Sequence, residues 1–160
     1  MSLPEELPGG ELGVAPIDRA GCEALLEARD MGRMAFSFRD QIDIQPLEYA
    51  FREGWIFGRT SPGTKVEVLR HNRWVAFQVD EIQGRWEWRS VIARGPVHFF
   101  DPERGGEDAR MYALALAALR QAFPETLTPS DPTPRRCILF GIFIQELKGI
   151  AASLHQGPAA

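Results

Sequence analysis

The sequence predicts a mainly β, α+β domain: a small antiparallel barrel with flanking helices. Three observations carry this. Apolar and alternating runs follow one another with short turn signals between them, which is the pattern of consecutive hairpins. Helical periodicity is confined to one segment near the start, one short insertion and one segment late in the chain. The 160 residues, 44% of them hydrophobic and 25% charged, suit a single domain with its own core. Hairpins in series close into a barrel because closure removes exposed strand edges. The expected order is a helix, five strands with a short helix among them, a second helix and a sixth, closing strand.

Residues 1–16, rich in Pro, Gly and Glu, read as a loose arm. Asp18 is placed to cap a helix running to about Asp30, with Cys22, Leu25 and Leu26 on its buried side. A strand is expected from Met34 to Arg39, with Phe36 and Phe38 on one face. Ile42 to Phe51 reads as a longer strand interrupted by Pro46, which cannot donate to a ladder and so implies a bulge or an edge. Trp55–Ile56–Phe57 begins a buried strand that breaks at Thr60–Ser61–Pro62–Gly63. Ser61 suits a helix N-cap and Pro62 the first helical position, with Val66 and Leu69 facing inward and Asn72 as the stop.

Arg73 to Glu81 reads as the next strand, with Val75, Phe77 and Val79 on one face. Gln83–Gly84 signals a hairpin into a long strand, Arg85 to Phe100, bent at Gly95–Pro96. Trp86 and Trp88 alternate there and would share a face. Glu107 to Phe123 carries Met111, Leu114, Leu116 and Leu119 at roughly helical spacing. Four prolines make residues 124–134 an irregular connector. Arg135 to Glu146 reads as the last strand, apolar on both faces and therefore central or at an interface. The domain is expected to span residues 17–151, with a frayed tail over 152–160.

A formal charge of −4 argues against nucleic acid as a partner. No apolar run is long enough for a membrane span, and the N-terminus lacks the basic and apolar regions of a secretory signal. Cys22 and Cys137 lack metal-type spacing and read as reduced, buried thiols of a cytoplasmic protein. His71, His98 and His155 are scattered, so no metal site is assigned. Tyr49 reads as a packed aromatic with a bonded hydroxyl, Glu48 as an ion-pair partner and Asp80–Glu81 as a solvated turn. No nucleophile motif is present, so any chemistry must come from a cofactor.

The stretch from Trp55 to Lys65 is the one with ligand chemistry. A strand running into a helix start offers unpaired N–H groups and a partial positive charge. Arg59, Thr60, Ser61 and Lys65 would add hydroxyls and cations suited to a phosphate. Read from spacing alone, the same residues also describe a capped turn with solvated cations.

The order of motifs is more specific than any one of them. Met31–Phe36 is followed by Pro46–Leu47–Glu48–Tyr49, then Trp55–Phe57, Thr60–Ser61 and Lys65. Val68–Asn72 leads to Val75–Asp80, and Trp88–Arg89–Ser90–Val91 reaches Arg94–Gly95. This set resembles the pyridoxamine 5′-phosphate oxidase-like flavin-binding split barrels, in the branch that includes nitroimidazole-resistance-type proteins. The likeness runs over about residues 20–150.

The resemblance implies a six-stranded split barrel that forms a homodimer with FMN at the subunit interface. It assigns the phosphate to Arg59, Thr60, Ser61 and Lys65. It runs the isoalloxazine edge along Gln45, Pro46, Leu47 and Glu48. Trp88, Arg89 and Ser90 would come from the second subunit or from the same pocket wall, and the donors to the reduced ring would be backbone N–H groups or residues such as Arg89 and Gln78. The activity implied is an oxidoreductase acting on a small aromatic or nitro compound with a nicotinamide donor. Relatives often place a histidine where this chain has Gly58–Arg59, and in place of the long C-terminal substrate segment of true pyridoxamine-phosphate oxidases stand a Pro-rich connector and a single closing strand. Vitamin B6 oxidation is therefore not expected. A flavin store or sensor without turnover, and a haem- or deazaflavin-binding relative, stand as alternatives.

Overall fold

The computed structural model describes residues 10–156. The order is β1 (Gly10–Ile17), α1 (Arg19–Ala28), β2 (Met31–Phe38), β3 (Gln41–Glu48), β4 (Ala50–Arg52), β5 (Trp55–Thr60), α2 (Thr64–His71), β6 (Trp74–Gly84), β7 (Glu87–Phe99), a single 3-10 turn (Pro102–Arg104), α3 (Gly106–Ala122), β8 (Ile138–Phe143) and β9 (Glu146–Gln156). All strand pairs are antiparallel and follow the path β3-β2-β6-β7-β8-β5-β4, with β9 on β7 and β1 on β9. The path is open at β3 and β4, as a split barrel requires. The fold class is the expected one. The strand count among the described residues is nine rather than six.

The extra strands have physical causes. Residues 10–16, expected as part of a loose arm, and Ile17 pair with β9 from Gly10↔Gln156 to Ile17↔Gly149. The frayed tail expected after Ala151 is instead the second half of β9 up to residue 156; residues 1–9 and 157–160 lie outside the described residues. β9 lacks a strand's usual bulk because α1 presses on it. A Cβ at Gly149 would lie 2.6 Å from the Cys22 sulfur and 3.1 Å from Ile17. The expected strand over Ile42–Phe51 is two strands, divided at Tyr49, whose N–H turns to the Asp30 carbonyl. Pro46 sits in unbroken register with Arg33, so it marks an edge and not a bulge.

β7 bends where the sequence places Gly95–Pro96. Its first half pairs with β9 and its last three residues with β8. A Cβ at Gly95 would fall 1.8 Å from the Phe143 carbonyl oxygen, so only glycine lets the crossing chain through. The hairpin turn before β7 is Arg85–Trp86 rather than Gln83–Gly84. Trp86 is therefore a turn residue under the Arg85 guanidinium, 4.5 Å away, and does not share a strand face with Trp88.

Two apolar clusters form the core. One fills the barrel with Met34, Tyr49, Ile56, Phe77, Phe140 and Ile142 under Cys22, Leu25 and Leu26 of α1. The other lies between α3 and the outer face of β5 and β8, with Phe57, Phe100, Met111, Ala115, Leu119 and Leu139. β8 thus contributes Leu139 to one cluster and Phe140 to the other, which explains its apolar pattern on both faces. α1 begins as expected: the Asp18 carboxylate accepts from the Gly21 N–H at 2.8 Å.

Candidate functional site

α2 starts later than expected. Its N-cap is Gly63, at φ 151°, a conformation that favours glycine, and no side chain caps it. Ser61 is therefore not the helix cap, and its hydroxyl is left for other partners. The three residues between β5 and α2 form a bend that leaves Thr60, Ser61 and Lys65 around one cavity. That cavity, of about 170 Å³, is lined by Gln45, Pro46, Leu47, Glu48, Arg59, Thr60, Ser61, Lys65 and Arg136. The edge strand and the strand–helix bend, distant in sequence, meet there.

Within this cavity the cations divide into two kinds. Arg59 is buried and its guanidinium faces Asp131, with the second nitrogen at 3.2 Å from the other carboxylate oxygen. It also donates to the Thr133 hydroxyl at 3.1 Å. The expectation that Arg59 spends its guanidinium on a phosphate is corrected accordingly: a buried guanidinium adopts the carboxylate that neutralises it. Lys65 has no carboxylate partner within ion-pair range among the described residues. Burial first, and then the nearby charge of Arg136, push the Lys65 ammonium below its ordinary value. Both effects are relieved by an anion.

Trp88, Arg89 and Ser90 do not line this cavity. Strand register places Trp88 and Ser90 on the outer sheet face, because Ser90 lies opposite Asp80 and Ile150, and Trp88 opposite Ile82 and Ala152. The Ser90 hydroxyl accepts from Gln78 at 2.9 Å. Arg89 points to the opposite face, where it and Arg29 both donate to Glu81 at 2.9 Å. Those two bonds, Arg89 first, hold Glu81 below the usual carboxylate range. Glu81 is thus the centre of an ion-pair network within β6 and not a solvated turn, and Arg89 is committed to it.

Tyr49 is fully buried and donates to the Leu26 carbonyl at 2.7 Å, as expected of a packed phenol. Gly58 explains the missing histidine. An added Cβ would lie 2.8 Å from the Phe140 ring, so the strand has no room for a side chain there. Cys22 is buried, but Cys137 is exposed, which corrects the expectation of two buried thiols. Among the described residues no cluster of His, Cys, Asp and Glu is arranged for a metal, and no helix is long and apolar enough to cross a membrane.

Sequence reasoning missed Arg136. Its position after four prolines gave no periodicity to read, and only the return of the connector to the end of β5 brings it beside Lys65. Asp131 was missed for the same reason.

An open antiparallel barrel with a cationic, hydroxyl-lined cavity where its edge strand meets a strand–helix bend defines a split-barrel protein. The chain belongs to the pyridoxamine 5′-phosphate oxidase family, whose model matches residues 18–137. It is similar to an uncharacterised protein of Rhizobium meliloti (strain 1021), with 26% identity over 147 residues, covering 87% of this chain and 95% of that one. Among solved structures it is similar to a protein from Mesorhizobium loti described as FAD-binding. The TM-score is 0.70 and the identity 25%, covering 89% of this chain and 99% of the other. A candidate 5-nitroimidazole antibiotic resistance protein from Bacteroides thetaiotaomicron shares the fold, with a TM-score of 0.68 and 17% identity over 90% of each chain.

Proposed function

We propose that this chain binds FMN, with the phosphate held by Thr60, Ser61 and Lys65 and the isoalloxazine edge along Gln45–Glu48. The single observation that carries the reading is Lys65: an ammonium without a carboxylate partner, in a cavity shared with two hydroxyls and the edge strand. That donor set fits a phosphate, which accepts from hydroxyls and cations alike. The family and the FAD-binding relative support a flavin. The cavity, of about 170 Å³, has room for a phosphate group and the end of the chain attached to it.

The tricyclic ring then lies on the sheet surface and needs a second wall. Register puts Leu12, Val14, Ile42, Ile44, Ile82 and Ile150 on one outward face with Trp88 and Ser90, and all six apolar residues are exposed. An apolar face of this kind is an association surface. A homodimer closed across it would deliver Trp88 and Ser90 to the flavin of the other copy.

A bound flavin supplies hydride chemistry at N5. The chain's own contribution is to hold the phosphate, exclude water along β3 and leave the ring accessible to a small aromatic or nitro acceptor, with a nicotinamide as donor. A second reading, a flavin carrier without turnover, is favoured by two observations: Tyr49 is consumed by a backbone bond, and Gly58 leaves no site for an acid–base residue. The experiment is a visible spectrum of the purified protein followed by titration with FMN, FAD and haem. Uptake of FMN in preference to the others supports the reading, and a colourless protein that takes up no flavin refutes it. Turnover with reduced nicotinamide and a nitroaromatic acceptor separates the two functional readings.

A further inference from the structure

We infer that Arg136 is the second phosphate cation and that Arg59, the arginine of the strand–helix bend, acts only by positioning it through Asp131. This rests on the flavin reading above and assigns within it a residue and a selectivity. Arg136 lines the same cavity as Lys65 and, like it, has no carboxylate within ion-pair range among the described residues. Two unpaired cations facing one small cavity repel each other. Burial first, and then this repulsion from Arg136, lower the proton affinity of Lys65. A dianion placed between the two cations offsets that repulsion.

The connector that carries Arg136 is built to hold it still. Asp131 accepts from the Leu127 and Thr133 N–H groups, each at 2.8 Å, and so fixes both ends of its own turn. Leu127 is at φ 51°, a strained value for a branched side chain, and the bond from its N–H to Asp131 is what retains it. The Arg120 guanidinium donates to the Thr126 carbonyl at 2.9 Å, tying the turn to α3. Arg59 then closes the loop onto β5 through Asp131, the Thr133 hydroxyl and, at 3.4 Å, the Arg136 carbonyl itself. The backbone of Arg136 is thus anchored by the guanidinium that neighbours Thr60 in sequence. The side chain is left exposed at the cavity.

The consequence is selectivity for a phosphorylated flavin. Lys65 alone offers one charge; Lys65 with Arg136 matches the two charges of a phosphate monoester. Riboflavin, which has no phosphate, gains nothing from either residue.

The test uses the full chain stripped of flavin and titrated with FMN and with riboflavin, read by quenching of flavin fluorescence. Arg136→Ala should weaken FMN about ten-fold or more while leaving riboflavin unchanged. Arg136→Lys should recover part of the loss. Thr133→Val, a mild lesion of the clamp, should weaken FMN and not riboflavin, because it acts on the placement of Arg136. An Arg136→Ala protein with an unaltered ratio of FMN to riboflavin affinity overturns the inference. So does a Thr133→Val protein that weakens both flavins equally. Failure of the unaltered protein to bind FMN is a different result and overturns the flavin reading beneath it.

Discussion

The guanidinium of Arg59 lies against the carboxylate of Asp131, 72 residues further along the chain, and both side chains are nearly sealed from solvent. This contact ties the Pro-rich connector to the end of β5 and so shapes one wall of the candidate flavin cavity. Removing one partner would leave the other charge buried without compensation. Asp131→Asn should therefore lower Tm by about 5 °C or more, since a change of 1 kcal/mol shifts a domain of this size by a few degrees. Differential scanning calorimetry measures it. The Arg59 bond, followed by the N–H groups of Thr133 and Leu127, holds the Asp131 carboxyl far below its ordinary 3.8. A carboxylate depressed in the folded state stabilises above its unfolded value and loses that contribution as pH falls below it. The wild-type protein should lose stability below about pH 4 more steeply than Asp131→Asn.

Lys65→Ala should weaken FMN binding by about 1.5–3 kcal/mol, roughly ten- to a hundred-fold in Kd. A fluorescence titration with an unchanged Kd would remove Lys65 from the site.

The pH dependence of FMN affinity should be bell-shaped. The phosphate gains its second charge near pH 6, which strengthens binding as pH rises through that value. On the alkaline side, burial and then Arg136 lower the proton affinity of Lys65 in the free protein. Affinity is full while Lys65 is protonated and declines as pH rises through its free-state pKa, which lies below the usual 10.5. Lys65→Arg should shift that decline to higher pH in the same titration.

Gly58→Ala should destabilise the fold by about 1–3 kcal/mol, because the new methyl group meets the buried Phe140 ring at 2.8 Å. Urea denaturation reads the change. A protein of unaltered stability would show that β5 has room for a side chain at this position.

Tyr49→Phe should cost about 1–3 kcal/mol, since the Leu26 carbonyl in the last turn of α1 loses its donor in a buried position. FMN affinity should stay the same. A loss of FMN binding without a loss of stability would instead place the phenol in the flavin site.

The parts of this fold that were legible in the sequence are those with local causes. Asp18 capping α1, the inward set Cys22, Leu25 and Leu26, and the bend at Gly95–Pro96 each follow from neighbouring residues. β8 was legible because its two-sided burial leaves no polar position from Leu139 to Ile142. β9 was not, because close packing under α1 requires glycine at 149, and small residues there look like the composition of a tail. The site divides the same way. The Gln45–Glu48 edge and the Thr60–Lys65 bend were found, and the structure brings them to one cavity. The roles of Arg59 and Arg136 depend on Asp131, whose location relative to β5 is a matter of tertiary folding and leaves no periodic trace. Trp86 lies off the strand face because the turn comes two residues later than the sequence signals.

One consequence belongs to synthesis. Gly10 and Gln156 are partners in the same ladder, so β1 cannot pair until β9 has been made. Until Ala152 and Leu154 have been made, Val14 and Leu12 lack their cross-strand neighbours, and until β9 is made β7 lacks its partner along its first half. A translation pause before β9 would hold open an edge that invites pairing with other chains.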